Sequence, residues 1–185
     1  GITHQDIWAA LDQREPYVER FTNTGTFSKI GGAGTSVVDM AFDNTTDVVH
    51  KTSGQVVVAS GTLRLQAGGA HSQGSFSTGT GAALELGGLH TLAGGNVFDG
   101  STRVLADGTL QGLAGSNTEM FAALDNGGTV ELRNASRMQL SGSLRNAAGS
   151  SLLVGTAAGK GTAELQHTGR IVNEAGANMV VHGRL

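Results

Sequence analysis

The sequence predicts an all-β fold, a right-handed parallel β-helix of about six to seven rungs with a short N-terminal helical cap. Two observations support this prediction. The chain has 30 glycines and a single proline among its 185 residues, which indicates many tight turns. A short phrase of Gly-Thr or Gly-Ala followed by alternating apolar residues also recurs along it. The copies are Gly61–Leu65, Gly81–Leu86, Gly108–Leu110, Gly128–Leu132 and Gly161–Leu165.

The spacing of the phrase favours a β-helix over other repeat architectures. The intervals between successive first apolar residues differ along the chain, and they are too irregular for leucine-rich or helical repeats. A β-helix tolerates such variation because its turns can differ in length from rung to rung. The residues in this series are Leu63, Leu84, Leu110, Val130, Leu152 and Met179.

Alternation within the phrases predicts which side chains point outward. In a strand every second residue faces the same side, so Arg64, Glu85 and Glu131 are expected on one outer face, between inward leucines and valines. Near the C-terminus the same outward positions hold Leu153 and Val180. We therefore expect an apolar outer stripe there, through which the chain can self-associate.

Asparagine and glycine recur at the turns between strands. The segment 21–27 matches the segment 124–130 at each asparagine and glycine, the residues that best tolerate positive φ. Asn126, Asn146 and Asn173 follow one another at separations close to one rung. We predict that their amides stack at one corner as an asparagine ladder and bond along the solenoid axis.

Residues 1–20 differ from the rest and are assigned to an N-terminal helical cap or linker. Thr3 is a suitable N-cap, Ile7 and Leu11 fall on one helical face, and Pro16 ends or bends the helix. Residues 21–185 are assigned to the parallel β-helix. Because the chain begins with glycine and its last strand lacks a cap, we expect it to be a fragment of a longer solenoid.

Composition and charge exclude several classes of function. A net charge of −3 and a pI near 6.0 provide no basic surface, so a nucleic-acid partner is not expected. No run approaches the roughly 20 apolar residues of a membrane span, so direct membrane insertion is not expected. The absence of cysteine removes disulfides and thiolate chemistry.

The Asn-x-Gly-Thr turns and Gly-Thr strands of residues 21–185 resemble the right-handed β-helix stalks of bacterial autotransporter passengers and filamentous-haemagglutinin-like adhesins. This resemblance implies an extracellular or bacterial cell-surface location. It also implies a non-catalytic adhesin or stalk module that presents loops for attachment. The expected partners are a carbohydrate or a host or neighbouring-cell surface. The binding loops are expected in the longest insertions between phrases, at 66–80, 87–103 and 155–162.

An alternative function is that of a polysaccharide-binding or polysaccharide-degrading β-helix, such as an extracellular or phage depolymerase fragment. Cleavage of a glycosidic bond requires an acid and a base at a fixed separation. The candidate carboxylates are Asp39, Asp43, Asp47, Glu85 and Glu131. His50 and Lys51, beside Asp47, are candidates for sugar contact. These carboxylates are scattered along the sequence, so we expect no enzymatic activity and assign no catalytic residue.

No metal or cofactor site is predicted. Residues 31–39 resemble one copy of a calcium-binding nonapeptide, but Ser36 stands where the cage requires aspartate. Residues 155–162 resemble a phosphate loop that is one residue short, with Gly161 in place of the magnesium-binding hydroxyl. His71 and His90 are separated by about one rung and are able to stack on neighbouring rungs, but no further ligands accompany them. We expect the histidines to be solvated loop residues.

Overall fold

The computed structural model describes residues 19–104, 109–112, 117–120, 123–133, 135–156 and 162–185. Within these ranges the chain forms β-strands, turns and bends, and no helix. The predicted helical cap falls on residues 1–18, outside the described residues. The all-β prediction is confirmed for the part of the chain that the structure describes.

Three long parallel sheets contain most of the strands, which are numbered in chain order. Sheet 1 contains β2 (Thr26–Lys29), β7 (Gln55–Val58), β10 (Ser75–Thr78), β13 (Gly95–Asp99), β16 (Asn117–Met120), β19 (Arg137–Leu140) and β22 (Glu164–His167). Sheet 2 contains β3 (Thr35–Val38), β8 (Thr62–Leu65), β11 (Ala83–Leu86), β14 (Thr102–Val104), β17 (Leu124–Asn126), β20 (Leu144–Asn146) and β23 (Ile171–Asn173). Sheet 3 contains β9 (Gly69–Ser72), β12 (Leu89–Ala93), β15 (Thr109–Gly112), β18 (Thr129–Leu132), β21 (Ser151–Val154) and β24 (Asn178–Val181).

The remaining four strands form two small pairs. Strands β1 (Arg20–Asn23) and β4 (Ala41–Asn44) pair in parallel, and β4 packs against the first strand of sheet 3. Strands β5 (Thr46–Asp47) and β6 (Thr52–Ser53) form an antiparallel hairpin that interrupts the second rung.

The strand order makes the chain a stack of rungs. Each strand pairs with the strand three places along the chain, except where the β5–β6 hairpin intervenes, so each turn contributes one strand to each side. About seven rungs result, in agreement with the predicted parallel β-helix. At roughly 4.8 Å per rung, seven rungs extend about 34 Å along the axis.

The core consists of inward side chains stacked in columns. On sheet 2, Leu63, Leu84, Leu124 and Leu144 are buried at matching positions of successive strands, with Thr102 between the second and third. On sheet 1, Phe76 stacks on Phe98 with ring centroids 4.5 Å apart. Each such side chain contributes roughly 1.5–3 kcal/mol through burial, so the rungs hold one another together along the whole core.

The recurring phrase is shared by all three sheets, which corrects the single series drawn from the sequence. Leu63 and Leu84 belong to sheet 2, whereas Leu110 and the later members belong to sheet 3, and the last copy of the phrase enters sheet 1 at β22. The long interval between Leu84 and Leu110 marks the shift from one sheet to another. Strands on any side need the same inward and outward alternation, so the phrase alone does not identify a sheet.

The predicted asparagine ladder is confirmed at the corner that follows sheet 2. The amide Nδ2 of Asn126 donates to Oδ1 of Asn146 over 2.7 Å, and Nδ2 of Asn146 donates to Oδ1 of Asn173 over 2.7 Å. Both amides also donate to the backbone, to the carbonyls of Ser151 and Asn178 respectively. The ladder therefore satisfies turn carbonyls that burial would otherwise leave unpaired.

A second asparagine pair occupies a different corner, between β1 or β4 and sheet 1. Nδ2 of Asn23 donates to Oδ1 of Asn44 over 2.8 Å, and both asparagines are buried. Asn23 and Asn126 also each accept a hydrogen bond from the glycine amide two positions later. The sequence match between segments 21–27 and 124–130 therefore reflects the same local turn, which occurs at two different corners.

Candidate functional site

The outer face of sheet 2 carries a column of alternating charges. Arg64, Glu85, Arg103, Asp125 and Arg145 occupy matching positions on five successive strands. Nε of Arg64 donates to Glu85 over 2.8 Å, Nη1 of Arg103 approaches Glu85 to 3.0 Å, and Nε of Arg145 donates to Glu174 over 2.7 Å. We call this column, with Glu174, the charge ladder.

The charge ladder changes the interpretation of two predicted outward residues. Glu85 is 6% exposed and lies between two guanidinium groups, so it is a structural ion-pair partner. Glu131 lies on sheet 3 and pairs with Arg133. The expectation that Arg64, Glu85 and Glu131 share one face was wrong, because the phrase that contains Glu131 belongs to another sheet.

The three aspartates of the candidate acidic series lie in different environments. Asp39 is an exposed residue between β3 and β4. Asp43 is buried on β4, where it pairs with Arg20 and accepts the amide of Ala70 over 2.7 Å. Asp47 lies in the hairpin. Their regular spacing in sequence therefore does not produce a common acidic face, and two of the three are engaged in structural contacts.

The junction between β4 and β9 replaces part of the backbone ladder with side-chain bonds. The amide of Phe42 bonds the carbonyl of Gly68 over 2.9 Å, but the amide of Asn44 bonds Nδ1 of His71 over 3.1 Å. A Cβ on Gly69 would overlap the carbonyl oxygen of Phe42. Only glycine permits this approach of the two backbones.

His71 on β9 and His90 on β12 form a buried pair. Their rings stack with centroids 5.1 Å apart, as expected for neighbouring rungs, and Nε2 of His71 lies 2.8 Å from Nδ1 of His90. The expectation of solvated histidines was wrong here, since both are at most 1% exposed. Burial lowers the pKa of His71 well below its usual range and that of His90 to about 4.

The hydrogen bonds fix the protonation of this pair. His71 accepts at Nδ1 from the Asn44 amide, so it donates from Nε2 to Nδ1 of His90. His90 then donates from Nε2 to the carbonyl of Leu65 over 3.2 Å. Both rings are neutral and fully partnered, and the arrangement connects three rungs as a structural relay with no group left for chemistry.

The hairpin of residues 45–54 is the insertion that the sequence analysis missed. At its tip Val48 and Val49 are 83% and 79% exposed. Asp47 holds the turn, because its Oδ1 accepts the amides of Val49 and His50 and its Oδ2 lies 2.6 Å from Nδ1 of His50. The available signal was the distance in sequence between Asn44 and Gln55, which exceeds that of an ordinary corner.

Two of the three segments predicted to be insertions are not insertions. Residues 66–80 contain β9 and β10, and residues 87–103 contain β12, β13 and most of β14, so both are regular parts of rungs. The third segment, 155–162, is also the one that resembles a phosphate loop, and it lies largely outside the described residues.

The glycine-rich segment 31–39 is a turn followed by β3. Nζ of Lys29 donates to the carbonyl of Gly31 over 2.8 Å and to that of Gly32 over 3.3 Å. An ammonium group therefore bonds two of this turn's carbonyls. No cluster of three or more metal-binding side chains is found among the described residues.

A polar depression lies on sheet 1 near the C-terminal end of the stack. Gln139 and Gln166 occupy matching outward positions on β19 and β22. The depression has a volume of about 270 Å³. Its lining residues are Gln139, Leu140, Ser141, Gln166, His167 and Thr168. The sequence signal was available, since these glutamines have the same separation along the chain as Asn146 and Asn173.

The predicted apolar stripe is present as a register pair. Leu153 and Val180 face outward from β21 and β24, directly opposite each other, and Leu153 follows Glu131 in the same column. Both side chains are half-buried. The two side chains form an apolar patch on the outer face of sheet 3.

Comparisons of the chain with protein-family models, with curated proteins and with solved structures find no match. Among the described residues there is no helix that is long and apolar enough to cross a membrane.

Proposed function

We propose that this chain is a non-catalytic, secreted or surface-displayed bacterial module that acts as an adhesin or stalk. In this proposal it is a right-handed β-helix of the kind found in autotransporter passengers and filamentous-haemagglutinin-like adhesins. It works outside the cell or on the bacterial surface, where it holds attachment groups away from their anchor.

The observation that carries the proposal is the continuity of contacts along the axis. The charge ladder links six side chains from rung two to rung seven, and the asparagine ladder links the last three rungs at a corner. Solenoids hold together through nearest-neighbour rung contacts, so such linked columns resist bending and separation of rungs. Rigidity of this kind suits extension.

The use of the acidic groups also supports a non-catalytic role. Of the five candidate carboxylates, Asp43, Asp47, Glu85 and Glu131 are engaged in ion pairs or backbone hydrogen bonds. They belong to different strands and different sheets. A glycosidase requires two carboxyl groups facing one sugar, and this distribution favours structural use instead.

The attachment element in this proposal is the hairpin tip. Exposed valines at the tip of a turn held by Asp47 give an apolar contact that is ordered before binding, which lowers the entropic cost of association. His50 and Lys51 add polar contacts at its edge. The proposed partner is a carbohydrate-coated or protein-coated surface of a host or neighbouring cell.

The proposal is tested with beads that carry the chain, applied to host cells, bacterial cells and matrix-coated plates. We expect retention that the double substitution Val48→Ser and Val49→Ser reduces strongly. Ile30→Ser is the matched control, because Ile30 is 81% exposed but lies in the turn between β2 and β3, outside the hairpin. Retention that is absent on every surface, or that Ile30→Ser reduces equally, contradicts the proposal.

The alternative proposal is a polysaccharide-binding or polysaccharide-degrading β-helix. The uncharged polar depression on sheet 1 favours the binding part of this alternative. The two parts are separated by incubating the chain with polysaccharides and measuring retained sugar and released reducing or unsaturated ends together. Release of reducing or unsaturated ends by the wild-type chain contradicts a non-catalytic module and makes the five carboxylates candidate catalytic residues.

We also propose self-association through Leu153 and Val180. These two half-buried apolar side chains lie in one register column and form a small surface on which a second copy of the chain packs. Sedimentation velocity is expected to show a concentration-dependent larger species that Leu153→Ser removes. A wild-type chain that sediments as a monomer at all concentrations contradicts this.

A further inference from the structure

The depression beside Gln139 and Gln166 is built from uncharged hydrogen-bonding groups. The two glutamine side chains lie next to each other across one rung, about 4.8 Å apart in strand spacing. His167 follows Gln166 directly, and Ser141 and Thr168 complete the polar rim. Leu140 lies beneath them as a buried core residue. The site is therefore a polar cup on a rigid apolar support.

Several of these groups retain hydrogen-bonding capacity. The Gln139 side chain makes no hydrogen bond to the residues that the structure describes, so its amide offers both a donor and an acceptor. Gln166 uses Nε2 to donate to Glu164 over 3.0 Å, which leaves its carbonyl oxygen. Nδ1 of His167 lies 3.0 Å from the carbonyl of Gly169 and donates to it, which leaves Nε2 as an acceptor.

The charge of the rim selects the class of ligand. No carboxylate, ammonium or guanidinium group is among the lining residues. Two charged groups on the same two strands, Arg137 and Glu164, bond each other over 2.8 Å. An acidic or basic ligand would thus be desolvated without a counter-ion, whereas hydroxyl groups both donate and accept and match the free amides and imidazole nitrogen.

We propose that this depression binds a neutral sugar unit of an oligosaccharide, with Gln139 and Gln166 as the specificity-determining contacts. The inference deepens the polysaccharide-binding function proposed above as the alternative and rests on it, because it names a saccharide class and a site for it. The paired amides bond adjacent ring hydroxyls, and the imidazole and threonine groups of the rim bond a third. The rigid register of β19 and β22 sets the spacing of these contacts.

The test is calorimetric titration of the chain with cellohexaose, maltohexaose and mannohexaose, and with hexagalacturonate as the carboxylated counterpart. The side-chain amide signals of Gln139 and Gln166 are followed by NMR in the same titrations. The variants are Gln139→Ala and Gln166→Ala. Gln55→Ala is the matched control, since Gln55 faces outward on the same sheet, near the other end of the stack.

We expect at least one neutral oligosaccharide to bind and to shift both amide signals. Each rim substitution is expected to weaken that binding about tenfold, and the control by less than about twofold. Unchanged thermal midpoints verify that the variants fold. The proposal is overturned if no neutral oligosaccharide binds, if the rim variants bind as the wild type does, or if hexagalacturonate binds more tightly. Bead retention that persists in these cases leaves the attachment function standing.

Discussion

Removal of the Asn146 side chain tests the asparagine ladder most sharply. Asn146 is fully buried and makes four side-chain hydrogen bonds. It donates to Asn173 and to the carbonyl of Asn178, and it accepts from Asn126 and from the hydroxyl of Ser150. Asn146→Ala removes all four at once.

The expected cost follows from that inventory. A buried hydrogen bond contributes about 1 kcal/mol net, so four give about 4 kcal/mol. Two of the partners are partly compensated, because Asn126 still donates to Ser151 and Ser150 still donates to Ala147. The carbonyl of Asn178 loses its side-chain donor. We therefore expect the free energy of unfolding to fall by about 3–4 kcal/mol.

Equilibrium unfolding in urea, followed by circular dichroism, measures this change. Asn173→Ala is the control, because Asn173 is exposed at the end of the ladder and its own amide makes one longer bond, 3.2 Å, to the carbonyl of Ala177. We expect that control to cost about 1 kcal/mol. Equal losses for the two variants, or a loss below about 1 kcal/mol for Asn146→Ala, would refute the ladder as a source of stability.

Three further predictions concern the core, the charge ladder and the close approach of β9 to β4. Because burial holds the pKa of His90 at about 4, below the unfolded value near 6.5, the unfolded chain gains a proton first as pH falls, and stability is lost between these values. By pH 5 the loss from His90 is about 2 kcal/mol, and urea midpoints that do not change between pH 7 and pH 5 would contradict it. Glu85→Gln leaves Arg64 without its anion and Arg103 with only the more distant Asp125, and it is expected to cost about 1–3 kcal/mol, whereas Glu164→Gln, in an exposed pair, changes the urea midpoint little; equal effects would count against the ladder. Gly69→Ala is expected to cost at least about 3 kcal/mol because its Cβ meets a carbonyl oxygen, and Gly34→Ala, with open space around it, less than about 1 kcal/mol by thermal melting; a tolerated Gly69→Ala would show that the strands are further apart.

The sequence was sufficient for the rung architecture because the solenoid repeats the same local requirements. Alternation identified the inward leucines and the outward Arg64 and Glu85, and asparagine at rung-length intervals identified one corner of the last three rungs. These features depend on local chemistry alone. A strand needs one apolar side, and a tight corner needs a residue that bonds its own turn.

The assignment of strands to sheets could not be read from the same pattern. The phrase occurs on all three sides of the stack, and the corners vary in length from rung to rung. The distance in sequence between two copies of the phrase therefore does not show whether they belong to the same sheet. This ambiguity placed Glu131 beside Glu85 and misidentified 66–80 and 87–103 as insertions. The hairpin at 45–54 was missed because its short polar strands resemble ordinary turns.

The burial of His71 and His90 depends on a contact that sequence spacing does not encode. Glycine at position 69 brings β9 close to β4 at one point, while the amide of Asn44 bonds an imidazole in place of a backbone carbonyl. The polar depression on sheet 1 was hidden for a related reason. Its parts come from two rungs, and only the register joins them.

Engineered disulfides test whether strands three places apart along the chain stack in the stated register, because the chain has no cysteine of its own. Thr129 and Ser151 are register partners on sheet 3, at a strand spacing that suits a disulfide. Thr129 and Arg145 belong to different sheets. Under mild oxidation we expect a rapid intramolecular disulfide in the Thr129→Cys, Ser151→Cys variant and none in Thr129→Cys, Arg145→Cys. Equal crosslinking of both variants, or preference for the second, would contradict the fold.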